Sequence, residues 1–170
     1  MSEEKDTTFT IRSGGQTGVD RAALDAALRY RDHVRVTGWC PRGRLAEDGE
    51  IPLEYPLVET TTDSYQERTE LNIRDSDATL VLLLPLTPPD QGTEYTLEKA
   101  KLLGKPFLRI FLDDTTTKVN DVLEWTNRNK VKDLNVAGPR ESSSPKIQNQ
   151  AYKFMKAFLR EKVESLRQTH

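Results

Sequence analysis

Hydrophobic positions in this chain of 170 residues alternate between short apolar runs and longer stretches with helical spacing. Residues 9–11 form a first weak strand, beginning a residue or two earlier. Residues 19–29 follow as a helix, in which Ala22, Ala23, Leu24, Ala26, Ala27 and Leu28 supply strong propensity and a narrow apolar face. Residues 34–39 alternate as a second strand, ended by Gly38 and Pro41. The segment 40–62, punctuated by Pro41, Gly43, Gly49, Pro52 and Pro56, shows almost no period; loops this long are usually functional or partly structured. Residues 64–75 read as a helix capped by Asp63 or Ser64, with Glu67 as a capping-box partner.

The continuous apolar run 78–84 predicts a parallel strand covered on both faces. A loop at 85–92 then leads to a helix at 93–103, with Thr93 as a natural cap and Gly104 and Pro106 as the stop. Strand 107–112, helix 119–129 and strand 134–138 complete the alternation. The closing helix, 145–166, places Ile147, Ala151, Phe154, Met155, Phe158, Leu159 and Val163 on one face. Strands alternating with helices predict an α/β fold: one domain over 1–170 with a mostly parallel sheet, helices on both faces, and residues 1–8 as a flexible tail. In open sheets of this kind the strand C-terminal ends share one edge, and ligands bind along it.

Composition narrows the function. Charged residues make up 31% of the chain, yet the net charge is only −2, which argues against a general nucleic-acid or anionic-membrane surface. The single cysteine, Cys40, excludes an internal disulfide and suits a reducing compartment. The acidic, polar start is unlike a secretory signal, and the apolar run 78–86 is too short to span a bilayer, so the cytoplasm is the expected location. Cys40 reads as a buried small residue, and His33 and His170 stand at no metal-site spacing from it.

Four polar, glycine-bearing segments follow proposed strands: 13–21, 38–49, 92–96 and 138–142. The first carries Gly14, Gly15, Gln16, Thr17, Gly18 and Arg21 where a strand turns into a helix. It is either a tight structural turn or an anion cradle made of backbone N–H groups at a helix N-terminus. It lacks the lysine of an ATP-binding P-loop and the spacing of a dinucleotide fingerprint. Asp20 is ambiguous, because its charge suits the helix start but would repel a phosphate held there. In the second segment Arg42 and Arg44 could clamp a phosphate or carboxylate, or form surface ion pairs. Gly92 with Thr93, and Asn135 with the Gly138, Pro139, Arg140, Glu141 and Ser142 turn, complete the set. Arg68, Glu70, Asn72 and Arg74 alternate along one helix and cannot share a single face of it.

The stretches Gly14-Gly15-Gln16-Thr17-Gly18-Val19-Asp20-Arg21, Gly38-Trp39-Cys40-Pro41-Arg42-Gly43, Arg68-Thr69-Glu70-Leu71-Asn72-Ile73-Arg74-Asp75-Ser76-Asp77 and Leu134-Asn135-Val136-Ala137-Gly138-Pro139-Arg140-Glu141-Ser142 resemble the molybdenum-cofactor carrier proteins. The resemblance runs from about residue 10 to residue 160, with the motifs in the expected order. It implies a Rossmann-like fold, similar with permuted strand order to the lysine-decarboxylase-like phosphoribohydrolases and the DNA-processing protein domain. It also implies a homo-oligomer that holds and protects molybdenum cofactor (molybdopterin with its metal), and molybdoenzymes or cofactor-synthesis proteins as partners. The pocket it implies is built from Gly14 to Gly18, Gly92, Thr93 and the turn from Asn135 to Ser142, taking a small phosphorylated ligand without catalysis. Two alternatives stand beside it: a nucleotide-binding sensor, and a phosphoribohydrolase-like enzyme acting on a nucleoside monophosphate through Glu70, Glu94 or Glu141. The chain does not reproduce the Pro-Gly-Gly-x-Gly-Thr-x-x-Glu signature of those hydrolases.

Overall fold

The computed structural model describes residues 8–88, 90–112 and 117–168. The expected tail, apart from Thr8, and His170 lie outside the described residues. Five parallel strands form the central sheet: β1 (Phe9–Arg12), β2 (Val34–Thr37), β7 (Ala78–Leu83), β8 (Phe107–Phe111) and β9 (Asp133–Ala137), in the order β2-β1-β9-β7-β8. Parallel neighbours need crossover connections, which α1 (Val19–Leu28), α3 (Gln91–Leu102) and α4 (Thr117–Arg128) supply. The last strand in sequence, β9, enters between β1 and β7, so Leu134 stands beside both Ile11 and Ala78.

Every residue of β7 is buried, as a strand covered on both faces requires. Helices α1, α4 and α5 (Ile147–Gln168) pack together on one face, and α2 (Tyr65–Asp75) packs with α3 on the other. The alanines of α1 let it lie close to α5, whose Phe158 ring meets Phe9 edge-on at 6.2 Å between centroids. All seven apolar residues expected on the inner face of α5 are buried, and the buried Lys162 joins them. Lys162 reaches Asn127 Oδ1 at 3.0 Å, and burial holds its pKa below the ordinary lysine value. The fold is the α/β, Rossmann-like arrangement that the hydrophobic pattern predicts.

Three local expectations change. Residues 34–39 are two strands, because Gly38 breaks the run: a Cβ there would lie 1.8 Å from Ser13 O. The chain leaves the main sheet at that point, and β3 (Trp39–Cys40) pairs instead with β6 (Val58–Glu59). The aperiodic 40–62 segment is structured around β3, the hairpin of β4 (Leu45–Ala46) and β5 (Gly49–Glu50), and β6. It closes on a second apolar cluster of Leu24, Cys40, Ile51, Tyr55 and Leu57.

The helix caps also differ in detail. Ser64 caps α2 by accepting from Gln66 and Glu67 N–H groups, but Glu67 returns its carboxylate to Thr61 and Thr62 rather than to the cap residue. The cap of α3 is Asp90, whose Oδ1 accepts from Thr93 N–H at 2.8 Å, so Thr93 lies inside the helix and is buried. No helix among the described residues is long and apolar enough to cross a membrane.

Candidate functional site

A cleft of about 260 Å³ opens at the C-terminal ends of β1, β9 and β7, between α2 and α3. This is the edge where the strand order reverses, and where an open parallel sheet leaves room for a ligand. Of the residues singled out in the sequence, Gly14, Gln16, Gly92, Asn135, Gly138 and Arg140 line it. Helix α2 contributes Tyr65, Arg68, Thr69 and Asn72, and Tyr95 comes from α3. The α2 residues recur at i, i+3, i+4 and i+7, a polar stripe on one helical face, and this spacing was the signal for them in the sequence. Arg68 and Asn72 do share that face; Glu70 lies off it, accepting from the Tyr95 hydroxyl and from Lys99.

The turn 13–18 is not a set of free donors. Gln16 N–H donates to Asp20 Oδ2 at 3.3 Å, Thr17 N–H to Gln16 Oε1 at 3.0 Å, and Gly18 N–H to Gln148 Oε1 at 2.9 Å. Val19 N–H reaches Pro139 O at 3.2 Å. These four donors are therefore satisfied within the chain, two of them by residues far away in sequence. Its glycines serve close packing. A Cβ on Gly18, at φ +81°, would lie 2.3 Å from Pro139 O, and one on Gly15 would strike Leu57 and Ile51.

The other predicted residues divide by what they touch. Arg21 forks onto Asp48 and gives a further bond to Gly15 O. Arg44, buried at φ 54°, donates to the carbonyls of Ile51, Pro52, Tyr55 and Leu57, which makes it the internal brace of the second cluster. Arg42 lies at a separate shallow depression beside Glu59 and Thr61. Thr17 and Ser142 come together on Glu47, whose carboxylate accepts from the Thr17 hydroxyl, the Ser142 hydroxyl and the Ser142 N–H. Burial opposes ionisation of Glu47, but those hydrogen bonds outweigh it and hold the pKa below the usual carboxylate value. Glu141 accepts from Lys146 and Gln148 N–H groups at the start of α5. Pro139 supplies the carbonyl that receives Val19 N–H. Glu70, Glu94 and Glu141 are absent from the cleft wall, which carries the carboxylates of Asp20 and Asp90 instead.

Inside the cleft the charges are unevenly matched. Arg68 Nη1 lies 3.6 Å from Asp20 Oδ2 and donates to Gly14 O at 3.2 Å. Burial pushes the Asp20 carboxyl up to about 6, against the pull of the Arg68 charge and the Gln16 N–H, with Asp90 adding to the rise. Burial likewise lowers Arg68, against the Asp20 charge. The Arg140 guanidinium stacks over Tyr65 at 5.7 Å and makes no hydrogen bond or salt bridge among the described residues. Gln16 Oε1 accepts from the Thr17 and Glu47 N–H groups, which fixes the amide, and its Nε2 is buried with no hydrogen-bond partner among the described residues. Asn72 bonds both backbone groups of Trp39 and so anchors β3 to α2. Asn135 donates to Thr79 Oγ1 at 3.2 Å.

Cys40 sits in the second apolar cluster, where burial raises its thiol pKa and leaves little thiolate at neutral pH. No group of three or more His, Cys, Asp or Glu side chains is placed to hold a metal ion among the described residues. The site can thus offer cationic guanidinium, amide donors and two carboxylates to an organic ligand of modest size.

No curated protein matches the chain. A crystal structure described as a putative molybdenum carrier protein, from Syntrophus aciditrophicus SB, is 39% identical and superposes with a TM-score of 0.83. The match covers 92% of this chain and 98% of that one. The model of the circularly permutated YpsA SLOG family matches residues 11–159, and the protein belongs to that family.

Proposed function

We propose that this protein binds molybdenum cofactor, or a related phosphorylated pterin, in the cleft between α2 and α3 and protects it without transforming it. The observation that carries this reading is Arg140: a guanidinium on a ligand-sized cleft with no anion bonded to it among the described residues. A phosphate supplies the missing partner in a bidentate geometry that suits arginine. The Gln16 amide, buried without an acceptor, gives the same cleft a donor for a polar heterocycle. Gly92 leaves the start of α3 without a side chain at the cleft, Gly138 lets the turn after β9 pack against Leu82 O and Val19, and Asn135 adds an amide to the lining. Of the remaining predicted residues, Thr17, Gly18, Pro139, Glu141 and Ser142 join the turns beside the cleft, Thr93 fixes the start of α3 on Asp90, and Gly15, Arg21 and Arg44 serve the packing of the 40–62 segment. In such a ligand the dithiolene would carry the metal, and the residues of the cleft would hold its organic part.

The carrier description of the Syntrophus aciditrophicus structure supports this reading. The protein acts in the cytoplasm as one domain and as a homo-oligomer, passing cofactor between its synthesis and the enzymes that use it. The test is retention. Cofactor released from a molybdoenzyme is added anaerobically, the protein is desalted, and the retained pterin and its oxidation lifetime are measured. The expected result is stoichiometric retention and slowed oxidation; retention no greater than by an unrelated protein overturns the proposal.

A further inference from the structure

Among the described residues four buried side-chain atoms have no hydrogen-bond partner: Gln16 Nε2, Arg21 Nε, Thr93 Oγ1 and Ser144 Oγ. Of these four residues, Gln16 alone lines the cleft. Two other buried amides share the lining, and both spend a donor inside the chain. Asn72 Nδ2 donates to Trp39 O at 3.0 Å, and Asn135 Nδ2 to Thr79 Oγ1 at 3.2 Å. The Gln16 amide is held in one orientation, because its Oε1 accepts from Thr17 N–H at 3.0 Å and from Glu47 N–H at 2.9 Å. Turning it over would set its NH2 group against two donors. Nε2 is therefore a fixed donor, and a buried donor left unpaired is costly.

We propose that Gln16 Nε2 is a specificity-determining donor, which selects phosphorylated heterocycles bearing a ring carbonyl, the oxo-pterin and oxo-purine class, over those bearing an amino group in its place. The inference rests on the binding reading above and gives the ligand a direction in the cleft. Its phosphate lies towards Arg140, and its carbonyl lies on the turn that precedes α1. A carbonyl oxygen accepts from Nε2 and completes it. An exocyclic amino group sets N–H against N–H, and a bare ring C–H leaves the donor unpaired. A site built around such a polar group rejects the analogue without the matching partner more strongly than an apolar pocket rejects a missing methylene. The Thr17 and Glu47 N–H groups keep the amide from turning over to suit an amino group, so the preference is built into the backbone around it.

The test is a calorimetric series on the full chain with a pterin monophosphate, inosine monophosphate, purine riboside monophosphate, adenosine monophosphate and inorganic phosphate. The three purines carry a carbonyl, a hydrogen and an amino group at the same ring carbon. Inosine monophosphate should bind about ten- to hundredfold more tightly than the other two purines, the loss expected when a buried donor is left unpaired. Gln16→Met, which removes the amide at similar length, should shrink that ratio to a few-fold while inorganic phosphate binds as before. Where Gln16→Met does not fold, Gln16→Asn, which draws the donor back by one methylene, is read the same way. Inosine monophosphate binding no more tightly than the other purines in the wild type, or a ratio that survives the substitution, overturns the role of Gln16 and leaves the binding reading standing. Failure of every phosphorylated heterocycle to bind overturns both.

Discussion

Arg21 and Asp48 form a two-point fork that fastens the β4–β5 hairpin to the first turn of α1. The arginine is buried and the aspartate half exposed, so the two partners are unequal. Removing the acid leaves a buried guanidinium without its anion, the expensive way to break such a pair. Asp48→Ala is expected to lower stability by about 1–3 kcal/mol in urea unfolding. Faster amide exchange across residues 45–50 should accompany the loss. An unchanged midpoint and unchanged exchange would show that the fork does not hold the hairpin.

Arg44 serves the fold through four carbonyls on the second apolar cluster. A lysine is a single point donor and cannot reproduce that fan of bonds. Arg44→Lys should therefore cost about 2–4 kcal/mol of stability. Ligand affinity of the folded fraction should not change, because the guanidinium does not line the cleft. Loss of affinity at full stability would return Arg44 to the ligand.

Gly18 tests the packing account of the first turn. Alanine there meets both a left-handed backbone, φ +81°, and Pro139 O at 2.3 Å. Strain and overlap together should cost about 2–4 kcal/mol in Gly18→Ala, read as a fall in melting temperature. A free anion cradle would instead lose affinity with its stability intact.

Asp20 makes stability depend on pH. Its folded pKa is raised from 3.8 to about 6, so between those values the folded chain holds a proton that the unfolded chain has released. The contribution is fully present below pH 3.8 and is lost as pH rises through about 6. Wild type should thus lose roughly 2–3 kcal/mol relative to Asp20→Asn between pH 4 and pH 7, measured without ligand by denaturant unfolding. A constant difference across that range would contradict the shift.

Much of the fold was legible because the pattern was strong. The unbroken apolar run of β7 and the inner stripe of α5 each admit one reading, and both elements are buried as expected. The position of β9 between β1 and β7 is long-range pairing, which local periodicity does not encode. The cleft opens on the sheet edge that the sequence pointed to, while several N–H groups of the first turn are taken within the chain. The N–H groups of Gln16, Thr17 and Gly18 are satisfied by the Asp20, Gln16 and Gln148 side chains, and only folding brings Gln148 to Gly18. Tyr65, Arg68, Thr69 and Asn72 form a polar stripe on one face of α2, but in the sequence Arg68 and Asn72 stood out only as members of an alternating polar set that cannot share one face.

Arg140 bears the central claim most directly. Calorimetric titration of a pterin monophosphate should show saturable binding to the wild-type protein. Arg140→Ala, with an unchanged melting temperature, should bind about ten- to hundredfold more weakly, the loss expected for charge-assisted bonds to a phosphate. Equal affinity in the two proteins, or no binding by the wild type, would contradict the account.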